Sequence, residues 1–308
     1  MREHLSRREP SRHPRQSFVQ STTSIYQTGT ARIVEALARG VVPWRKPWRG
    51  KDQLPCNAIS KRPYHGVNLL LLSLTPYTDH RWLTLRQANE IGGRIRRGER
   101  SSIAVFWKHL DITDEQDAQD GQRRCIPLLR YYHVFNAEQC EGLDLPVLMD
   151  DWNEDLKVRS ERAEQVISAM PNPPKIAEGG SVACYNPPED LVRIPKIRDF
   201  ESAEAYYATM FHELAHATGH VNRLNRPGVT GAIQFGTCDY SREELVAELA
   251  SAFCCAEVGI DNSPLDNAAS YIHGWLAALQ GDPKAVVAAS SQAQRASDYI
   301  LNVPPRTE

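Results

Sequence analysis

Near its centre the chain reads YYATMFHELAHATGH over Tyr206–His220, and within it His212-Glu213-Leu214-Ala215-His216 forms an H-E-x-x-H. On a helix, residues four apart project from one face about a turn apart, so both imidazoles can reach a single metal ion. Glu213 falls roughly a quarter-turn round, where its carboxylate can act as general base on a metal-activated water without being a ligand. Two neutral imidazoles, a base and an open coordination position suit metal-assisted hydrolysis. The same five residues can arise by chance on a solvated helix. Here Tyr206, Tyr207, Met210, Phe211, Leu214 and Ala215 make the background apolar. The polar trio therefore falls in a mostly buried helix, where unpartnered His and Glu are costly. Ser202 suits an N-cap and Gly219 a stop.

Charge divides the chain. Residues 1–110 hold 20 Lys and Arg against 7 Asp and Glu, a net of +13, and the rest holds 16 against 31, a net of −15. A basic half points to a polyanion such as nucleic acid. No apolar run approaches the ~20 residues that span a bilayer, and no apolar stretch follows the Arg-rich start, so neither a membrane nor secretion is expected. Seven scattered cysteines without a C-x-x-C knuckle read as reduced thiols of a cytoplasmic protein.

The pattern predicts a basic tail over residues 1–20, a small domain over 21–145 and a second over 146–308. In the first, Ile25, Ile33, Val34 and Leu37 fall at helical spacing, ended by Gly40. Ser102–Lys108 and Tyr131–Phe135 read as strands around a polar excursion at 111–124. Aromatic rings interleaved with cations suit unpaired strands, because bases stack on rings while Lys and Arg follow phosphates. Trp44, Arg45, Lys46 and Trp48, then Tyr64, Arg81 and Trp82, then Arg94, Arg96, Arg97 and Arg100 are the candidate DNA-binding residues. No groove-reading helix or zinc finger is visible, so sequence-specific duplex recognition is not expected. In the second domain, Glu154–Met170 fits an amphipathic helix. Gly179–Pro195 gives two short strands that lead into the H-E-x-x-H helix, and an edge strand there suits an extended peptide.

A catalytic zinc needs a third protein ligand. The spacing H-E-x-x-H-x-x-G-x-x-H would require histidine where Asn222 stands, and His220 follows a helix-ending Gly219. Downstream, Glu244-Leu245-Val246-Ala247-Glu248 places two carboxylates on one helical face. This pattern resembles the glutamate helix of gluzincins, which implies that Glu244 ligates the metal and Glu248 hydrogen-bonds a ligand histidine. Ser241 with Glu244 also makes a capping box, which would engage Glu244 locally and leave Glu248 as the ligand. Glu244 is the expected ligand, and Glu248 stays the alternative.

Several segments in the same order resemble ArdC-type antirestriction proteins. They are Pro43-Trp44-Arg45-Lys46-Pro47-Trp48, Tyr64-x-Gly66-x-Asn68, Arg81-Trp82-x-Thr84, Val134-Phe135-Asn136-x-x-Gln139, His212–His220 with Arg223-Leu224, and Tyr240–Leu249. The start is also similar to plasmid TraC-type primases. The resemblance implies an α+β chain with an N-terminal ssDNA-binding domain and a zincin-like metallopeptidase domain. Its implied setting is a conjugating plasmid, whose incoming DNA is protected from host restriction. The expected cofactor is Zn2+, replaceable in vitro by Mn2+ or another divalent ion, and the expected partners are single-stranded DNA and a protein substrate. A non-catalytic DNA shield with a structural or vestigial metal site is the alternative. A metal-dependent nuclease fits less well, because the site lies in the acidic half.

Overall fold

The computed structural model describes residues 22–44, 54–112, 124–146, 155–231, 237–262 and 268–304. The chain opens with α1 (Thr22–Ala38), which buries Ile33 and Leu37. Gly40 then adopts φ 76°, a left-handed turn that ends the helix. There follow β1 (Cys56–Asn57), α2 (Val67–Ser73), β2 (Arg81–Leu83), α3 (Leu85–Glu90), β3 (Arg94–Ile95), β4 (Ser102–Ile112), β5 (Arg124–Asn136) and β6 (Cys140–Glu141). One sheet has the order β1-β2-β5-β4, parallel between β1 and β2 and antiparallel elsewhere, while β3 pairs with β6. The expected strands at 102–108 and 131–135 belong to a longer hairpin, paired from Ser102 opposite Val134 to Ile112 opposite Arg124. Residues 113–123 of the polar excursion, like the basic tail at 1–20, lie outside the described residues.

The short polar signatures of this half build the fold. Asn68 donates to the Val105 carbonyl at 2.7 Å and accepts from the Val105 amide at 2.6 Å, so a side-chain amide seals the edge of β4 as a strand would. Thr84 and Gln87 form a capping box that starts α3. Asn136 and Gln139 form another and are fully buried. Asn136 also donates to the Asp79 carbonyl at 2.7 Å, and Gln139 to the Arg100 carbonyl at 2.9 Å.

The second domain comprises α4 (Leu156–Ala169), β7 (Lys175–Glu178), β8 (Cys184–Asn186), β9 (Leu191–Ile194), α5 (Ala203–Thr218), the single turn α6 (Pro227–Thr230), α7 (Cys238–Val258), α8 (Ala268–Leu279) and α9 (Ala285–Ile300). Its sheet has the order β7-β9-β8, with β8 an edge strand antiparallel to β9. Ser202 caps α5 by accepting from the Ala205 amide at 3.1 Å. At the other end Gly219 keeps right-handed dihedrals; a β-carbon there would run into Val229 and the Arg226 guanidinium, so glycine is required for close approach.

These two α+β domains share one apolar core. Ile33, Leu37, Trp44 and Leu70 from the first cluster with Phe211, Phe253, Trp275 and Ile300 from the second. The Gly66 amide also donates to Gln294 of α9 at 3.0 Å. Among the described residues no helix is long and apolar enough to cross a membrane.

Candidate metal centre

Helices α5 and α7 pack closely because Ala208, Ala247 and Ala250 are buried between larger residues. Ser251 of α7 donates to the Ala208 carbonyl of α5 at 2.8 Å, which fixes the register of the pair. That register brings His212 and His216 against two consecutive turns of α7. The two imidazole Nε2 atoms lie 3.2 Å apart. Glu244 places one carboxylate oxygen 3.5 Å from His212 Nε2 and the other 3.5 Å from His216 Nε2. Ligands about 2.1 Å from one tetrahedral zinc ion would lie roughly 3.4 Å from each other. These three residues are the metal-ligand cluster present among the described residues.

The imidazoles are also held from behind. His212 Nδ1 lies 3.8 Å from Glu248, and His216 Nδ1 lies 3.4 Å from Glu243. Glu243 is in turn gripped by buried Arg226, at 2.6 and 3.2 Å. Arg226 reaches back to the end of α5, donating to the Ala215 carbonyl at 2.7 Å and to Thr218 Oγ1 at 2.6 Å. Gly228 makes room for this pair, since a β-carbon there would sit 2.6 Å from Glu243 Oε2. Sequence reasoning missed both Arg226 and Glu243. The available signal was Arg226-Pro227-Gly228 after the H-E-x-x-H helix, followed by a doubled Glu243-Glu244.

The capping alternative for Glu244 does not hold. Thr237 caps α7, accepting from the Tyr240 amide at 3.3 Å, so Ser241 and Glu244 already lie within the helix. Glu248 faces His212 Nδ1 rather than the Nε2 pair. His220 points elsewhere; its Nδ1 accepts from the Asn222 amide at 3.3 Å.

Four carboxylates (Glu213, Glu243, Glu244 and Glu248) and one guanidinium, Arg226, are buried on these elements, and Arg226 pairs with Glu243. Burial disfavours charge on His212, yet the Glu244 hydrogen bond and the charges of Glu213 and Glu248 raise it to about 9. Burial likewise opposes the Glu244 carboxylate, but His212 and His216, with a hydrogen bond from Tyr240, bring it down to about 2. Such a cluster attracts a proton or a cation, and its two-nitrogen, one-carboxylate donor set fits a divalent metal. The site opens on a cleft of about 410 Å³ shared by Glu213, Tyr240 and the β8 residues Cys184 and Tyr185. Arg223 fixes that strand's turn by binding Asp190 at 2.6 Å, and Asp190 also accepts from the Tyr185 hydroxyl.

The DNA-binding candidates fare differently, and several expectations are corrected. Trp44 is 1% exposed and packs edge-on against Trp275 at 5.2 Å, so it offers no face to a base. Trp82 and Tyr64 are buried in a satellite cluster with Leu72, Ala104 and Val134. Arg81 is buried too, paired with Asp79 at 2.7 Å and donating to the Pro146 carbonyl at 2.6 Å. Its role in this conformation is to staple a turn. Arg94 and Arg96 are exposed but matched by Glu141 at 2.5 Å and Glu99 at 3.0 Å. Arg97 and Arg100 are exposed. Arg45, Lys46 and Trp48 lie outside the described residues.

Fold and site together define a zincin-like metallopeptidase domain joined to a small α+β domain. Residues 161–292 match a family described as zincin-like metallopeptidase, and residues 23–135 match the N-terminal domain of anti-restriction factor ArdC. The crystal structure of antirestriction ArdC protein from R388 plasmid, metal-free, is similar at TM-score 0.71 and 34% identity, over 90% of this chain and 96% of that one. Its Mn(II)-bound structure is similar at TM-score 0.72 and 32% identity, over 92% and 99%. An uncharacterized protein, y4eC, of Sinorhizobium fredii (strain NBRC 101917 / NGR234) is 36% identical over 91% of this chain and 92% of its own. DNA primase TraC of Escherichia coli is 33% identical over 96% of this chain, which spans 21% of that primase; a second TraC is 35% identical, with 26% of its length spanned. The chain belongs to the ArdC-type antirestriction family.

Proposed function

We propose that this protein shields incoming plasmid DNA from host restriction by binding single strands without sequence preference and by cutting a protein at a zinc-dependent endopeptidase site. The first activity is assigned to residues 21–145 and the second to 146–308. The peptidase reading is carried by one observation: the His212–His216–Glu244 triangle opens, beside Glu213, onto a cleft edged by β8.

In this reading His212, His216 and Glu244 are the metal ligands, and the Mn(II)-bound structure of a relative supports a divalent cofactor. When bound, zinc supplies Lewis acidity and lowers the pKa of water toward ~7. Glu213 accepts the proton of the attacking water and returns it to the leaving amine. Glu243 accepts a hydrogen bond from His216 Nδ1 and the Glu248 carboxylate stands behind His212 Nδ1 at 3.8 Å, an arrangement that favours Nε2 lone pairs turned inward. An extended peptide adds to β8 by main-chain hydrogen bonding, which brings its scissile carbonyl over the cleft.

The test is protection of transferred DNA by a Glu213→Ala protein that keeps its metal and its DNA affinity. Protection falls to the level of cells without the protein if proteolysis is the mechanism. Protection equal to wild type sinks the catalytic reading and leaves a DNA shield. Proteome comparison of the same two strains identifies the substrate.

A further inference from the structure

With Trp44 and Trp82 buried, base stacking needs other rings, and we infer that Phe106 and Tyr132, with Arg130, form a stacking platform for unpaired nucleotides. This inference rests on the single-strand reading above. Among the described residues these two are the aromatic side chains most open to solvent, 40% and 48% exposed. They are neighbours. Tyr132 lies opposite Ala104 and Arg130 opposite Phe106 across β4 and β5, so Phe106, Arg130 and Tyr132 share one face of the hairpin. The ring centroids of Phe106 and Tyr132 are 5.3 Å apart at 75°, and Tyr64 backs Phe106 from beneath at 6.2 Å.

The other face of the same strands has a different fate. There Val105 and Tyr131 pack against Tyr26 of α1 and beside Val287 of α9. The helices half-bury that face; on the opposite one Ser102, Ala104 and Val134 are buried, while Phe106 and Tyr132 beyond them stand in water next to Arg130. Arg130 is exposed and makes no ion pair among the described residues, unlike Arg81, Arg94 and Arg96. The patch thus pairs π-faces with a guanidinium that no carboxylate among the described residues neutralises. Every base offers a π-face, so such a platform accepts unpaired strands without reading sequence, while Arg130 meets a phosphate. Bases within a duplex are already stacked and cannot reach it.

The experiment is an anisotropy titration of the full chain with an oligothymidylate and with an abasic sugar-phosphate strand of equal length, across a salt series. Phe106→Ala with Tyr132→Ala weakens oligothymidylate binding by at least about tenfold. The slope of log affinity against log salt stays unchanged, because no phosphate contact is lost. Arg130→Gln instead flattens that slope by about 0.7. Phe106→Trp retains affinity, and its added fluorescence is quenched by oligothymidylate but not by the abasic strand; this readout also serves if the double variant fails to fold. Unchanged affinity in the double variant, or no quench, overturns the platform while single-strand binding survives. Loss of a dimer in light scattering with DNA affinity intact also overturns it and assigns the patch to a second copy. A wild-type protein that binds no single strand sinks the underlying reading and the platform with it.

Discussion

At the scale of single residues, His212 and Glu244 have opposed titration shifts with opposite consequences for stability. The folded state holds His212 at about 9 against an ordinary 6.5, so its contribution is complete below 6.5 and disappears as pH climbs through 9. Glu244 is held at about 2 against an ordinary 4.5, so its contribution is complete above 4.5 and disappears as pH falls through 2. Chelated protein is therefore expected to melt at progressively lower temperature from pH 6.5 to 9, and a His212→Gln protein to lose that slope. Divalent-metal affinity should run the other way across the window, because a ligand imidazole must shed its proton. Scanning calorimetry and metal titration over that range check both halves. The pairing of His212 and His216 on one helical face was legible because four-residue spacing on a helix is a local rule. Arg226 was not, since a lone Arg in a polar loop reads as solvated until its partner on a distant helix is known.

At the scale of elements, the choice of Glu244 as proposed third ligand turned on where α7 begins. Ser241 with Glu244 reads as a helix start, but Thr237 starts the helix a turn earlier, and both Ser241 and Glu244 then lie on its wall. Propensity locates helix ends poorly when two capping residues stand close together. The loop after α5 is tied to α7 by Arg226, which joins two α5 acceptors to Glu243. Arg226→Met should leave Glu243 buried without its guanidinium, lowering unfolding free energy by about 3–5 kcal/mol in urea titration. Metal affinity should drop as well, by ~10–100-fold, because His216 loses its fixed hydrogen-bond partner. An unchanged affinity would show that the pair only braces the loop. The β4–β5 hairpin was legible as two strands, but its inner and outer faces were not. Alternation says that faces differ, but burial also changes along the strands: Ala104 and Val134 are buried on the face where Phe106 and Tyr132 are exposed.

At the scale of the whole molecule, the division into a basic and an acidic half was plain from charge, and the α+β architecture is present in both. The contact between the halves was hidden. Trp44, flanked by prolines and cations, reads as a surface ring, yet Trp275 closes over it from the far end of the chain. No local pattern reports a partner so distant in sequence. The shared core predicts that residues 21–145 and 146–308, expressed apart, each expose the surfaces around Leu70 and Trp275 and aggregate, and that co-expression restores soluble material. Soluble, well-dispersed NMR spectra from either piece alone would refute this. A seam of that kind leaves no room for a hinge. Occupancy of one half should then be felt in the other through the same packed side chains, and the two are expected to be inherited as a single piece.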